Sequence, residues 1–296
     1  MFLSSEGGHH EPLIVEFINH YIGEPVYHFQ MAYTRPIWVK LFGYFGTTPE
    51  QVWGVAYTPE NAVPWYTIMF AIACILTVVA INLLKGKLSE DDPSNGQLTL
   101  EAAYLALRDM VSSIIGPHGF KYFPVVATFA FLILISNLMG QFPMFMSPTA
   151  SVNVTFALGI TSFVYYNYIG ISENGLFGHL KHFAGPKLPG YMFLITMLIF
   201  VIELISNGIR PLTLGVRLFA NMYSDEQVFV QITNLYPPIT HFVVPLLLTL
   251  LGVFVAAVQA FVFTLLSMIY IGEVSHPHDE HHDEEHADHA PAAAHA

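Results

Sequence analysis

The sequence predicts an all-α membrane protein with five membrane-crossing helices plus an interfacial amphipathic helix, the last two spans long, tilted and antiparallel. Composition is the first reason: 54% of the 296 residues are hydrophobic and 11% are charged, whereas soluble domains carry about 25% charged residues. The second is that several stretches reach the roughly 20 apolar residues needed to cross a hydrocarbon core of ~30 Å. Three regions follow from the pattern. Residues 1–60 form a peripheral N-terminal segment, 61–272 a membrane domain, and 273–296 a tail rich in histidine and carboxylates.

Residues 1–60 mix aromatics and prolines with the short apolar patches PLIVEFINHYI and RPIWVKLFGYF, which suit the membrane interface better than its interior. The opening stretch has no basic n-region and carries Glu16 within its apolar patch, so no cleaved signal peptide is expected. The first span runs from Trp65 to Leu84 and stops at Lys85 and Lys87, before the turn-rich SEDDPSNG. Residues 98–116 place Leu100, Ala103, Tyr104, Leu107, Val111 and Ile114 at helical spacing, with Glu101, Arg108 and Asp109 off that stripe. This is the amphipathic helix, laid on the membrane rather than through it.

The second and third spans, Tyr122–Gly140 and Val152–Ile171, flank the connector QFPMFMSPTAS and suit a helical hairpin. The polar-aromatic stretch SENGLFGHLKHFAGPKLPG then returns the chain to the interface. Two long helical stretches follow, Tyr191–Leu235 and Ile239–Gly272, separated by Pro237-Pro238. At 1.5 Å per residue the first would be about 67 Å long, roughly twice the hydrocarbon thickness, so it must tilt, bend or break.

Half of the net charge of −12 lies in the tail, where six carboxylates and seven histidines fall in the last 21 residues. Nucleic acid is therefore not an expected partner, and membrane lipid is. The tail's composition argues for a solvated, disordered segment whose histidines gain charge near pH ~6.5; no metal site is expected there. Cys74 is the sole cysteine, which excludes an internal disulfide and a cysteine metal centre. Lys85, Lys87, Arg108 and Lys121 lie between the first and second spans, and Lys181 and Lys187 between the third and fourth. The positive-inside rule puts both loops in the cytoplasm, with the N-terminus outside and the C-terminus inside.

Arg210 and Arg217 are left within a span. A central arginine costs about 2.5–3.5 kcal/mol on insertion scales, a large part of a typical stability of about 5–15 kcal/mol. Glu203, Arg210 and Arg217 recur every seventh residue and so share a helix face, with Asn207 and Asn221 one turn beyond Glu203 and Arg217. Arg210, before Pro211 and nearer the cytoplasmic end, also fits a snorkelling structural role. Glu226 lies about 13 Å further outward than Arg217 and turned to the opposite face. If the last two helices pair about Pro237-Pro238, Gln259 falls level with Arg217 and Glu273 level with Glu203. Glu273 also fits an ordinary interfacial charge.

The run RPLTLGVRLFANMYSDE, with VIELISNGI before it and VQAFVFTLLSMIYI in the next helix, resembles the signature of the ATP synthase a subunit family. PVVATFAFLILISNLMGQFP followed by SPTASVNVTFAL resembles that family's preceding hairpin, so the likeness covers about residues 60–272. The resemblance implies the stator half of the proton-translocating sector of an F-type ATP synthase in a bacterial inner membrane. Such a subunit offers two offset half-channels beside a ring of c subunits and is associated with a b-subunit peripheral stalk. By this resemblance Arg217 matches the essential arginine, Gln259 its partner glutamine, Asn221 and Glu226 the outer half-channel, and Glu203 the inner one. Neither a cofactor nor a nucleotide site of its own is implied, and no P-loop pattern occurs. The chain departs from many relatives at Asp225, where they have a small residue, and at Gly252, where some have histidine. Which outer carboxylate, Asp225 or Glu226, relays a proton stays open, and Gly252 leaves room near Glu226 for water or Asp225.

A self-contained secondary transporter is the competing reading. It predicts internal repeats, yet no repeat is visible and the intramembrane charges are confined to the last two helices. A structural scaffold would leave Arg217 unexplained.

Overall fold

The computed structural model describes residues 12–44, 46–49, 57–142, 145–182, 193–235 and 243–275. The tail from His276, the Pro237-Pro238 turn and the loop carrying Lys187 lie outside these residues. Within them the chain is helical, and five helices are long and apolar enough to cross a membrane.

The helices are α1 (Leu13–Phe29), α2 (Arg35–Tyr44), α3 (Trp65–Lys85), α4 (Asn95–Ile114), α5 (Phe123–Met139), α6 (Val152–His182), α7 (Phe193–Leu235) and α8 (Val243–Ser275). A π-helical turn, Gln30–Thr34, joins α1 to α2, so the two N-terminal apolar patches lie on a continuous helical path. Pro25 and Pro36 each lack an N–H for the helix ladder, and the wider turn falls just before Pro36. Ser94 caps α4 by accepting from the Gln97 N–H at 3.2 Å. The expected interface-returning stretch is in part helical: α6 breaks at Gly175, whose φ of 69° suits glycine, and re-forms as far as His182.

The chain divides into two compact units. The first comprises Met1–Asn82, Leu132–Val154 and Phe219–Ala257. Its core packs Val15 of α1 with Ile68, Met69 and Ala73 of α3 and Met139 of α5. The Asn19 amide satisfies both main-chain groups of Val63, donating to its carbonyl at 3.1 Å and accepting from its N–H at 3.2 Å. That fastens α1 to the chain entering α3. α5 and α8 meet in an antiparallel pairing, Asn137 opposite Ala256 and Gln141 opposite Gly252.

The second unit comprises Leu83–Phe131, Thr155–Leu218 and Val258–Ala296. Val111, Ile115, Tyr122, Val126, Tyr166, Ile169, Met268, Ile271 and Val274 form its core. Here α6 and α7 run antiparallel with their backbones in close approach. A Cβ on Gly159 would fall 2.6 Å from the Pro211 carbonyl oxygen, and one on Gly215 3.1 Å from that of Thr155. Small residues let helices pack this closely where the surrounding solvent is lipid.

Candidate functional site

α7 carries most of the chemistry, and its burial sets it apart from the other spans. Only 6% of its span window is buried, against 22–44% for the other four. Leu214, Leu218 and Met222, at four-residue spacing, form its buried stripe. Arg217 projects elsewhere: it is exposed, and no hydrogen bond or ion pair joins it to any described residue. Ile205, Ile209, Leu212 and Val216 are exposed on the same helix. The result is a guanidinium on an apolar surface that the described part of the chain does not cover.

Arg210 sits differently. Its Nη1 and Nη2 donate to the two carboxylate oxygens of Glu273 at 2.6 and 2.9 Å, and Nη2 also reaches Glu203 at 3.5 Å. The paired donors match the fork geometry that makes arginine–carboxylate contacts strong. The guanidinium also lies over the Tyr270 ring, 5.0 Å from its centroid. One cation thus gathers the two carboxylates that the depth argument placed at one level.

Pro211 explains the neighbouring polar groups. Having no N–H, it leaves the Asn207 carbonyl without its helical donor. The Tyr166 hydroxyl lies 3.4 Å from that carbonyl and also donates to the Asn207 side-chain oxygen. Asn207 donates to Asn167 Oδ1 at 3.4 Å, and His179 Nε2 approaches the same oxygen at 3.1 Å. His179 packs so tightly that a Cβ on Gly170 would fall 2.4 Å from its ring. Tyr166, Asn167, His179 and Tyr270 were not foreseen as site neighbours. Pro211 was the available signal, because it orphans a carbonyl inside lipid.

Gln259 is buried on α8. In the first unit, Asn221 is exposed, Asp225 and Glu226 are half-buried, and Asn221 and Glu226 also have polar partners. Asp225 accepts from Gln141 Nε2 at 3.1 Å. The Gln141 amide occupies the space beside Gly252: a Cβ there would meet it at 2.4–2.7 Å. Below Gln141, Asn137 donates to the Ala256 carbonyl at 3.4 Å and accepts from Thr149 at 2.6 Å. Thr149 in turn contacts Ser147 at 2.7 Å.

Five apolar spans with charged and amide side chains set along the last two define an integral membrane protein that handles an ion or proton within the bilayer. Residues 65–272 match the family described as ATP synthase A chain, and this chain belongs to that family. It is 39% identical over 228 residues to ATP synthase subunit a of Solibacter usitatus, covering 76% of this chain and 94% of that protein. It is 42% identical over 200 residues to ATP synthase subunit a 1 of Syntrophotalea carbinolica, covering 68% and 80%. Against ATP synthase subunit a of Trichlorobacter lovleyi the identity is 37% over 228 residues, covering 77% and 93%. Membership makes the chain a non-catalytic subunit of the proton-translocating membrane sector of the F-type ATP synthase.

Proposed function

We propose that this subunit provides two offset half-channels for protons, and that Arg217 faces the carboxylates of a passing c-subunit ring. The observation that carries this reading is Arg217 itself, an exposed guanidinium that has no partner among the described residues and stands on the least buried of the described spans. A charge so placed needs a counter-charge from another chain. The guanidinium stays protonated. It therefore favours the ionised form of a ring carboxylate that comes opposite it and promotes that group's deprotonation. A fixed cation also repels protons, which blocks a direct leak between the half-channels. Only a reprotonated ring carboxylate moves easily into lipid, so proton flow and rotation are coupled.

Asn221, Asp225 and Glu226 line the outer half-channel in this reading, and Glu203 with the Arg210–Glu273 pair lines the inner one. Gln259 positions groups close to Arg217. The b-subunit peripheral stalk is the second partner. Residues 1–60 lie peripherally, 61–272 form the channel domain and 273–296 a solvated tail, in a bacterial inner membrane with the N-terminus outside.

Arg217→Ala tests the reading. The variant should reach the membrane in normal amounts and show no ATP-driven proton pumping above background in inverted vesicles. A passive proton leak is a further expected outcome. Normal coupled pumping by this variant would overturn the assignment.

A further inference from the structure

Gln141 is not among the residues that the charge pattern or the family likeness singled out. It stands in the turn just after α5, and local bonds hold that turn. The Gln141 N–H donates to the Leu138 carbonyl at 3.0 Å and the Phe142 N–H to that of Met139 at 3.2 Å. At Gly140 an added Cβ would come within 2.7 Å of Ser147 Cβ, so the turn is pressed against the connector. From this mount the Gln141 amide lies against the backbone of Gly252 on α8 and donates to Asp225 on α7. One side chain therefore touches both long helices of the first unit.

We propose that Gln141 is a positioning residue of the outer proton path: it fixes the Asp225 carboxylate as a relay group, and Gly252 is the notch that admits it. The inference rests on the half-channel reading above. A charge-assisted hydrogen bond at a half-buried carboxylate selects one rotamer and holds one oxygen, leaving the other for a neighbouring proton carrier. The notch has no slack: a methyl group at residue 252 would overlap the amide oxygen, nitrogen and carbon at 2.4, 2.5 and 2.7 Å. Any side chain there must push the amide away from its seat. The long-chain amide in the turn after α5 and the missing side chain on α8 are thus complementary halves of one contact.

A double-mutant cycle in the intact ATP synthase tests this, read as ATP-driven pumping in inverted vesicles and as passive proton flow after the catalytic sector is removed. Gln141→Leu, similar in size but without a donor, should slow both by about tenfold, the scale of one charge-assisted hydrogen bond. Gly252→Ala should produce a similar loss by displacing the amide. Gly252→Ala added to Gln141→Leu should cost little more, because the bond is already gone. Gln141→Glu keeps the length but removes the donor, so it should not rescue. Gln141→His, which retains an N–H, should recover part of the flow. Additive losses, or full activity in Gln141→Leu with the subunit present in normal amounts, would overturn the proposal. Asp225→Asn separates the two levels of inference. If Asp225→Asn and Glu226→Gln both conduct normally, the outer half-channel reading itself falls. If either is impaired while Gln141→Leu is not, only the role of Gln141 falls.

Discussion

Arg210 and Arg217 lie seven residues apart on one helix, and their surroundings assign them different work. Arg210 is half-buried between Glu273 and Glu203, while Arg217 is exposed and has no partner among the described residues. Removing Arg210 leaves two carboxylates facing each other in a poorly solvated place. Losing one partner of a fully buried pair costs about 3–5 kcal/mol. Glu203 and Glu273 are 36% and 34% exposed, so screening reduces the expected loss for Arg210→Ala to about 1–2 kcal/mol. Thermal unfolding of the purified subunit should therefore shift downward, while coupled pumping is reduced but persists. Pumping lost as completely as in Arg217→Ala would mean that both arginines act on the ring. The cost of these charges was legible in the sequence, because an arginine in an apolar helix stands out against its neighbours. Their partners were less so. Glu273 was placed near Glu203 by counting from a turn, but its two-pronged contact with Arg210 depends on side-chain reach. Gln141 carried no signal, since a polar residue in a connector has neither periodicity nor burial to mark it.

At the level of elements the sequence reading was strongest where twenty apolar residues run together and weakest where helix formation does not depend on burial. The first predicted span, Trp65–Leu84, differs from α3 by one residue, because Lys85 and the turn after it end both the apolar run and the helix. From Leu13 to Tyr44 the sequence shows only patches, since Pro25 and Pro36 interrupt the pattern. A helix accommodates them through the π-helical turn. Similarly α6 continues to His182, although polar residues from Ser172 onward suggested a loop. Helix packing was not legible at all, because a glycine in a sequence does not announce what lies opposite it. Gly159 and Gly43 make this testable. Gly159→Ala drives a methyl group into the Pro211 carbonyl, where backbone must move, and overpacking of this kind costs about 1–3 kcal/mol. Gly43→Ala meets nothing within 4 Å and, one residue from the end of α2, gains at most about 0.5 kcal/mol from helix propensity. Differential scanning of the two variants should show melting temperatures moving in opposite directions. A neutral Gly159→Ala would mean that α6 and α7 are not in close approach.

For the whole molecule, the five spans among the described residues carry one expected topological consequence: an odd number of crossings puts the two ends of the span array on opposite faces of the membrane. Which face is which rests on the cations. Lys85, Lys87, Arg108 and Lys121 share one loop region, whereas the connector between α5 and α6 has none. Positive charge is retained on the cytoplasmic side during insertion, so the loop after α3 should be inside and the α5–α6 connector outside. That assignment also decides the side to which each proposed half-channel opens, since Asp225 and Glu226 lie in the C-terminal half of α7 and Arg210 in its N-terminal half. Cys74 is the only native thiol, so a Cys74→Ser background allows a single-site test. Asp91→Cys, in the exposed loop after α3, should react with a membrane-impermeant maleimide in inverted vesicles and be protected in intact spheroplasts. Phe142→Cys, at a position 63% exposed in the connector, should show the reverse. Both signs matter, because a single labelled site can reflect a leaky preparation, whereas two sites with opposite accessibility cannot. If both labels appear with inverted sidedness, the chain lies the other way up. The path through Asp225 would then open to the cytoplasm, and proton entry during synthesis would have to begin at the Arg210–Glu273 pair.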